Sequence, residues 1–291
     1  MSRAVPTTAI CALLAASLVT VAAPAHAESA GTYVALGDSY AAGAGVPSQS
    51  AGLCMRSSRN YGHMVAETLK REAATSSYKD VTCAAAKVDA LTTTQTDVGI
   101  PVNGPQLDAV TRDTGLVTLT IGGNNLGTSA LGFVDVVATC AALSVTNPFG
   151  APCRDHYGDT LDKRLDAAAP QLAAALQRIH AKAPRAKVLV AGYPAVLPDD
   201  ARTCLFKMPA TTGDLTYLRS VIGKLNDMVS TTAVANGAAY VDTLSATKGH
   251  DACSSDRWIE GILPTKPALS LHPNATGERV MAEAVLKALR G

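Results

Sequence analysis

Four short apolar runs punctuate this chain, and each stops at a residue that lets the backbone turn. Tyr33-Val34-Ala35-Leu36 ends at Gly37, Leu116 to Ile121 at Gly122-Gly123, Lys187 to Ala191 at Gly192-Tyr193-Pro194, and Ala238 to Val241 at Asp242. Runs this short, near-continuously apolar and rich in Val, Leu or Ile, suit strands buried on both faces. A weaker strand is expected over Val81-Thr82. Between the runs lie helical patterns at Tyr61 to Arg71, Gln106 to Arg112, Leu161 to Ala181, Leu215 to Ala235 and Gly277 to Leu289. Parallel strands need crossovers, and the crossover helices cover the sheet. The alternation therefore predicts the α/β class, as a three-layer α/β/α sandwich with about five mostly parallel strands. Stretches without clear periodicity, from Ala41 to Arg59, Leu126 to Arg154, Ala195 to Gly213 and Thr243 to Leu271, read as loops.

The beginning of the chain has the marks of export. A basic Arg3, an apolar run from Ala9 to Ala23 and the small-residue site Ala25-His26-Ala27 make residues 1–27 a secretory signal, leaving one secreted domain from 28 to 291. Pro24 directly follows the apolar run, and no later stretch reaches the ~20 apolar residues of a spanning helix, so no membrane anchor is expected. With a net charge of +1 and scattered Lys and Arg, the chain offers no footprint for nucleic acid or an anionic membrane, and a monomer acting on a small molecule or lipid is expected. Of seven cysteines, Cys11 departs with the signal. The other six permit 15 pairings. The three zones that they occupy suggest Cys54 with Cys83, Cys140 with Cys153 and Cys204 with Cys253, each closing a moderate loop in an oxidising compartment. No C-x-x-C, H-E-x-x-H, Walker or calcium loop occurs, so neither metal nor cofactor is called for. Gly43-Ala44-Gly45 lacks the third glycine of a dinucleotide loop, and Pro47 follows it.

In open α/β sheets ligands bind beyond the carboxyl ends of the strands. The residues to read first are therefore Ser39, Ala85, Asn124, Pro194 and, from the C-terminal loop, His272. Gly37-Asp38-Ser39-Tyr40 puts a serine on the turn leaving the first strand, where a nucleophile would be presented, although Gly, Asp and Ser are also ordinary turn formers. A serine hydroxyl needs a base within hydrogen-bond reach, and neutral imidazole suits that work near pH 7. His63, His156, His180 and His250 sit on helical or loop segments without such company.

Gly37-Asp38-Ser39, Gly122-Gly123-Asn124-Asn125 and His272-Pro273-Asn274, in that order, resemble the GDSL or SGNH-hydrolase family. Pro105-Gln106-Leu107-Asp108, Gly192-Tyr193-Pro194 and the continuation through Ala275-Thr276-Gly277 extend the likeness over nearly the whole chain after the signal. They look like the family's secreted actinobacterial lipase and esterase branch, in which six cysteines are typical and imply the same pairing. The resemblance implies a flavodoxin-like sandwich, attack of Ser39 on an ester carbonyl, proton transfer through His272 and an acyl-enzyme between the two steps. It also implies an oxyanion hole made of the backbone N–H of Ser39, a backbone N–H at Ala85 and the side-chain amide of Asn124. Three positions depart from the family pattern: Ala85 stands for a glycine, Asn125 for an aspartate, and Leu269 for the aspartate three residues before the histidine. The last departure implies a Ser-His dyad, with the carbonyl of Leu269 or Ser270 orienting the imidazole. Asp251 and Asp256 are the loop acids that would otherwise complete a triad. Asp38 is expected to tie its turn.

For substrate choice, Leu126, Leu131, Phe133, Val134, Leu143 and Phe149 are candidates to line an acyl pocket. One Trp and three Phe are few for a sugar site, which favours acyl lipids or simple acyl esters. A carbohydrate O-deacetylase or feruloyl-type esterase is the alternative within enzymes, and an inactive secreted binding protein the alternative outside them.

Overall fold

The computed structural model describes residues 1–2, 31–50, 52–129 and 132–291. The expected signal segment, apart from its first two residues, and Leu131 lie outside the described residues. The chain runs β1 (Thr32–Gly37), α1 (Ser39–Ala42), α2 (Tyr61–Arg71), β2 (Ser77–Asp80), β3 (Gln95–Asp97), β4 (Ile100–Asn103), β5 (Thr114–Thr120), α3 (Phe133–Ser144), α4 (Pro152–Tyr157), α5 (Thr160–Lys182), β6 (Lys187–Ala191), α6 (Thr212–Ala235), β7 (Ala239–Val241), α7 (Thr243–Ala246) and α8 (Ala275–Arg290). Five strands form one parallel sheet in the order β2-β1-β5-β6-β7, while β3 and β4 make a separate antiparallel hairpin.

Alternate residues of the strands point to opposite sides of the sheet, so each run feeds two cores. Val34, Leu36, Val117, Leu119, Val188 and Val190 pack with residues of α5 and α6 on one side. Tyr33, Ala35, Leu116, Leu189 and Ala191 pack with residues of α2 and α8 on the other. Polar residues start the long helices: Asn60 accepts from the His63 N–H at 2.7 Å, Thr211 from Asp214 at 3.0 Å and Asn274 from Thr276 at 2.9 Å. The three disulfides join Cys54 to Cys83, Cys140 to Cys153 and Cys204 to Cys253, the pairing that the three zones suggested.

Several elements depart from the sequence expectation. The edge strand is Ser77–Asp80 rather than Val81-Thr82, because Ser-Tyr-Lys-Asp at a sheet edge carries no apolar signature. The main chain nevertheless keeps alongside β1 past its end, with Val81 donating to Ala35 and Cys83 to Gly37, both at 3.0 Å. The expected helix from Gln106 to Arg112 is a short 3₁₀ turn at Gln106–Ala109. Within the supposed loop from Leu126 to Arg154 stand α3 and α4; α3 buries only Val136 and Cys140, so no 3.6-residue core pattern marks it. The β3–β4 hairpin was also unsignalled, its strands being short and without a buried residue.

The end of β1 is held with special care. The Gln106 side-chain amide bonds both sides of Gly37, accepting from its N–H at 2.7 Å and donating to its carbonyl at 3.0 Å. Gly37 has φ 134°, and a Cβ there would press into the carbonyl oxygen of Thr120 on β5. Gly37→Ala is expected to cost about 2 kcal/mol or more of folding stability, read as a lower urea midpoint at unchanged slope. A wild-type midpoint would show that this turn tolerates a side chain.

Candidate active site

Asp38 begins α1, its carboxyl accepting from the Tyr40 N–H at 2.9 Å, and this fixes Ser39 as the first residue of that single turn. Ser39 is buried save for its face on a cavity of about 860 Å³ at the carboxyl end of the sheet. Among the described residues, no acceptor binds its backbone N–H. His272 enters from the loop before α8, and its Nε2 lies 2.7 Å from Ser39 Oγ. Its Nδ1 lies 2.8 Å from the carbonyl of Ser270. A carbonyl only accepts, so Nδ1 carries the proton and Nε2 is left free to accept from the Ser39 hydroxyl.

Of the two carbonyls expected to orient the ring, Ser270 does so and Leu269 does not. The Leu269 carbonyl instead accepts the backbone N–H of His272 at 3.1 Å, because the chain turns tightly there, with Leu271 at φ 62°. Neither loop acid reaches the imidazole. Asp251 is buried and accepts from the Cys253 N–H at 2.9 Å, and Asp256 pairs with His250 at 3.2 Å. The His272 ring stacks on Tyr40, centroids 4.5 Å apart, and Tyr40 donates its hydroxyl to the Leu271 carbonyl at 2.6 Å. These walls remove water from one side of the imidazole. Desolvation lowers its pKa to about 4, opposed in part by the bond to the Ser270 carbonyl.

Ala85 and Asn124 border the same cavity. Ala85 adopts φ 62°, the left-handed conformation that favours glycine, and among the described residues its N–H has no acceptor. The flanking bonds hold it there: Ala84 donates to the Cys54 carbonyl at 3.0 Å, Ala86 to the Cys83 carbonyl at 3.2 Å, and the Cys54–Cys83 disulfide closes the same corner. Asn124 sits in the turn after β5 and gives one amide hydrogen to the Ala86 carbonyl at 3.0 Å, which leaves its second for a ligand. Asn125 is structural, accepting from the Val88 N–H at 3.0 Å. Pro194 is buried and does not line the cavity, whereas its neighbour Tyr193 does.

Several contributors carried little or no signal in the sequence. Tyr193 donates its hydroxyl to Asp38 and accepts from the Gly123 N–H at 2.7 Å. Asn226 from α6 bonds both the N–H and the carbonyl of Tyr193, at 2.7 and 2.9 Å. Burial raises Asp38 to about 7, although the bonds from Tyr193 and Tyr40 oppose the rise. Glu260 is wholly buried; its N–H donates to the His272 carbonyl at 2.9 Å, and its carboxyl accepts from Asn274 at 2.7 Å and from the Thr265 N–H at 2.7 Å. Burial pushes the Glu260 pKa up, but the bonds from Asn274, Thr265 and Lys266 outweigh it and hold it below the ordinary value. The contacts of Tyr193 with Asp38, Gly123 and Asn226 join chain segments far apart in sequence. Only the Gly192-Tyr193-Pro194 motif pointed at one of them.

Of the candidate acyl-pocket residues, Leu126, Phe133 and Val134 line the cavity. Leu143 and Phe149 do not. The cavity face of α3 is Phe133, Val134, Val137, Ala138 and Ala141; Leu143 lies off that face, and Phe149, beyond the helix, is 99% exposed. Among the described residues there is no group of three or more His, Cys, Asp or Glu placed to hold a metal ion.

The family model described as the GDSL-like Lipase/Acylhydrolase family matches residues 35–280. The chain belongs to that family. It is accordingly a carboxylic ester hydrolase of the lipase and esterase type, on the parallel-sheet sandwich seen above. This GDSL hydrolase is 42% identical to lipase 2 of Streptomyces coelicolor over 275 residues, 92% of this chain and 89% of that protein. Among solved structures it resembles phospholipase A1 from Streptomyces albidoflavus, with TM-score 0.73 and 32% identity over 89% of this chain and 99% of that one. The extracellular lipase from Streptomyces rimosus gives TM-score 0.70 and 25% identity over 89% of this chain and 100% of that one.

The lowered His272 pKa is open to direct measurement. The half-buried imidazole, walled by Tyr40, is desolvated and resists the charged form, so the ring should remain neutral on acidification well below pH 6.5 and titrate near pH 4 in nitrogen-15 NMR. A midpoint at or above 6.5 would mean that the ring is far better solvated than its contacts indicate.

Proposed function

We propose that this GDSL hydrolase is an exported serine esterase or lipase that cleaves acyl lipids or simple acyl esters through an acyl-enzyme on Ser39. The observation that carries the reading is the unbroken chain from Ser39 Oγ to His272 Nε2 and from His272 Nδ1 to the Ser270 carbonyl, opening on a largely apolar cavity. His272 takes the hydroxyl proton as Ser39 attacks the ester carbonyl, and the imidazolium formed keeps its Nδ1–H on the Ser270 carbonyl. The backbone N–H groups of Ser39 and Ala85 and the free amide hydrogen of Asn124 receive the charge developing on the carbonyl oxygen. The proton on Nε2 then passes to the leaving alcohol. A water molecule, deprotonated by the same nitrogen, releases the acid. Ser39 and His272 act here as a dyad, with a carbonyl where a carboxylate would stand in a triad.

The cavity has two chemically distinct sides. Phe133, Val137, Val196, Pro209 and Ile222 form an apolar side suited to an acyl chain, while Lys87, Asp89, Thr93, Thr94 and Gln95 form a polar side suited to the alcohol portion. The names of the Streptomyces lipases and phospholipase support an ester of an acyl lipid as the substrate. Export through residues 1–27, with the remainder acting as one domain, fits the three disulfides. No helix among the described residues is long and apolar enough to cross a membrane.

Hydrolysis of p-nitrophenyl esters by folded wild type, abolished in Ser39→Ala, is the expected result; a folded wild type inert on every acyl ester would overturn the reading. Asn124→Ala should lower kcat on the order of a hundredfold or more in the same assay. Asp251→Asn and Asp256→Asn should each keep kcat within about threefold, since neither carboxyl meets His272; a loss of ~10⁴ in either would identify a triad acid. Because the base works only when neutral, the acid limb of kcat/KM should lie well below pH 6.5.

A further inference from the structure

Against the apolar side of the catalytic cavity lies a second, small void of about 20 Å³. The two spaces share Phe133, Val137, Val196, Pro209, Ile222 and Leu271 as a common wall. Beyond that wall the void is bounded by Cys140, Leu197, Met208, Ala210, Leu215 and Leu218, with no charged side chain among its lining residues. A pocket of this size and chemistry admits at most a water-sized group and offers it few partners, so it extends the cavity only if the partition between them is opened.

Phe133 is the one aromatic residue in the partition and is half-buried on the first turn of α3. Its backbone is fixed relative to the site, because the Phe133 N–H faces Asn124 Oδ1 at 3.5 Å. Gly132, at φ 60°, precedes it, and a Cβ there would overlap the Asn124 side chain, so the chain packs directly on that amide before α3 begins. The amide proposed to receive the ester oxygen and the ring that closes the apolar side thus belong to one rigid corner.

We propose that Phe133 is the specificity-determining residue for acyl-chain length, its ring ending the space open to the chain. The inference rests on the acyl-ester reading of this site. Truncating the ring joins the void to the cavity and lets a longer chain bury its end, and one methylene gained in an apolar pocket is worth about tenfold or more in discrimination. Enlarging the ring has the opposite effect.

The test is the kcat/KM profile over p-nitrophenyl esters from acetyl to stearoyl, each variant normalised to its own best substrate so that a general change in activity cancels. Phe133→Ala should move the optimum to longer chains and raise the ratio for the first ester beyond the wild-type optimum about tenfold, and Phe133→Trp should move it to shorter chains. Should the alanine variant melt below the assay temperature, Phe133→Leu, which trims the same ring but keeps more packing, carries the same expectation. Profiles unchanged in the folded truncation variant and in Phe133→Trp, with wild type active, would overturn this inference and leave the esterase reading standing. A folded wild type inert on every ester would overturn both.

Discussion

Asp38 places a carboxyl group where almost no water reaches it, and the segments that build the cavity are tied together through its hydrogen bonds. It accepts from the helix that presents Ser39 and from the hydroxyl of Tyr193 after β6, and Tyr193 in turn accepts from Gly123 after β5. Three strand ends, β1, β5 and β6, are thereby locked to one another by groups that cannot exchange their partners for solvent without exposing a buried polar atom. Burial alone would favour the protonated acid, while the donors aimed at it favour the anion, so the group's pKa reflects both. Ser39 and Asn124 each stand one residue beyond a member of this network. Their separation is therefore a property of the sheet and not of mobile loops.

The sheet and its covering helices were legible because burial on both faces leaves a simple mark: short apolar runs cut by glycine. Where burial was partial the mark faded. β2 escaped notice as a polar edge, and α3 because one face lines a cavity instead of packing into a core. Ser39 and Asn124 could be singled out because each follows a glycine-marked strand end, and His272 because it opens His272-Pro273-Asn274 before the last helix, in the order that the family uses. Ala85 could be placed at a strand end from the sheet alone, but its role as a donor came only through that likeness, and its left-handed backbone shows alanine holding a conformation usually given to glycine, at a cost of about 1 kcal/mol or more. Tyr193 and Asn226 act through contacts that close over tens to hundreds of residues, which no local pattern encodes, and Glu260 through bonds within an irregular loop that has no periodicity to mark it. The choice between the carbonyls of Leu269 and Ser270 likewise depended on the left-handed turn at Leu271, for which a leucine gives no warning.

In the dyad proposed above, the surroundings of His272 take over the orienting work of a carboxylate. The ring is held from three directions: the Ser270 carbonyl at Nδ1, the stacked Tyr40 and the backbone bond from Glu260. Glu260 contributes its negative charge to fastening the loop and the cap of α8 instead of to the imidazole. Orientation and tautomer are secured by this framework. The electrostatic help that a neighbouring anion would give the imidazolium is replaced by the dipole of one carbonyl group.

Every disulfide has an end close to the cavity lining. Cys83 immediately precedes Ala84 and Ala85, Cys54 lies between Leu53 and Met55, Cys140 precedes Ala141, and Cys204 lies in the segment leading to Pro209. Most binding loops must use the same side chains to keep their shape and to choose their ligand, so that a change made for one purpose damages the other. Here covalent ties carry much of the first task. The lining is left freer to drift, and a family built on this plan can acquire new ester preferences by exchanging side chains along the walls while the cross-linked frame persists.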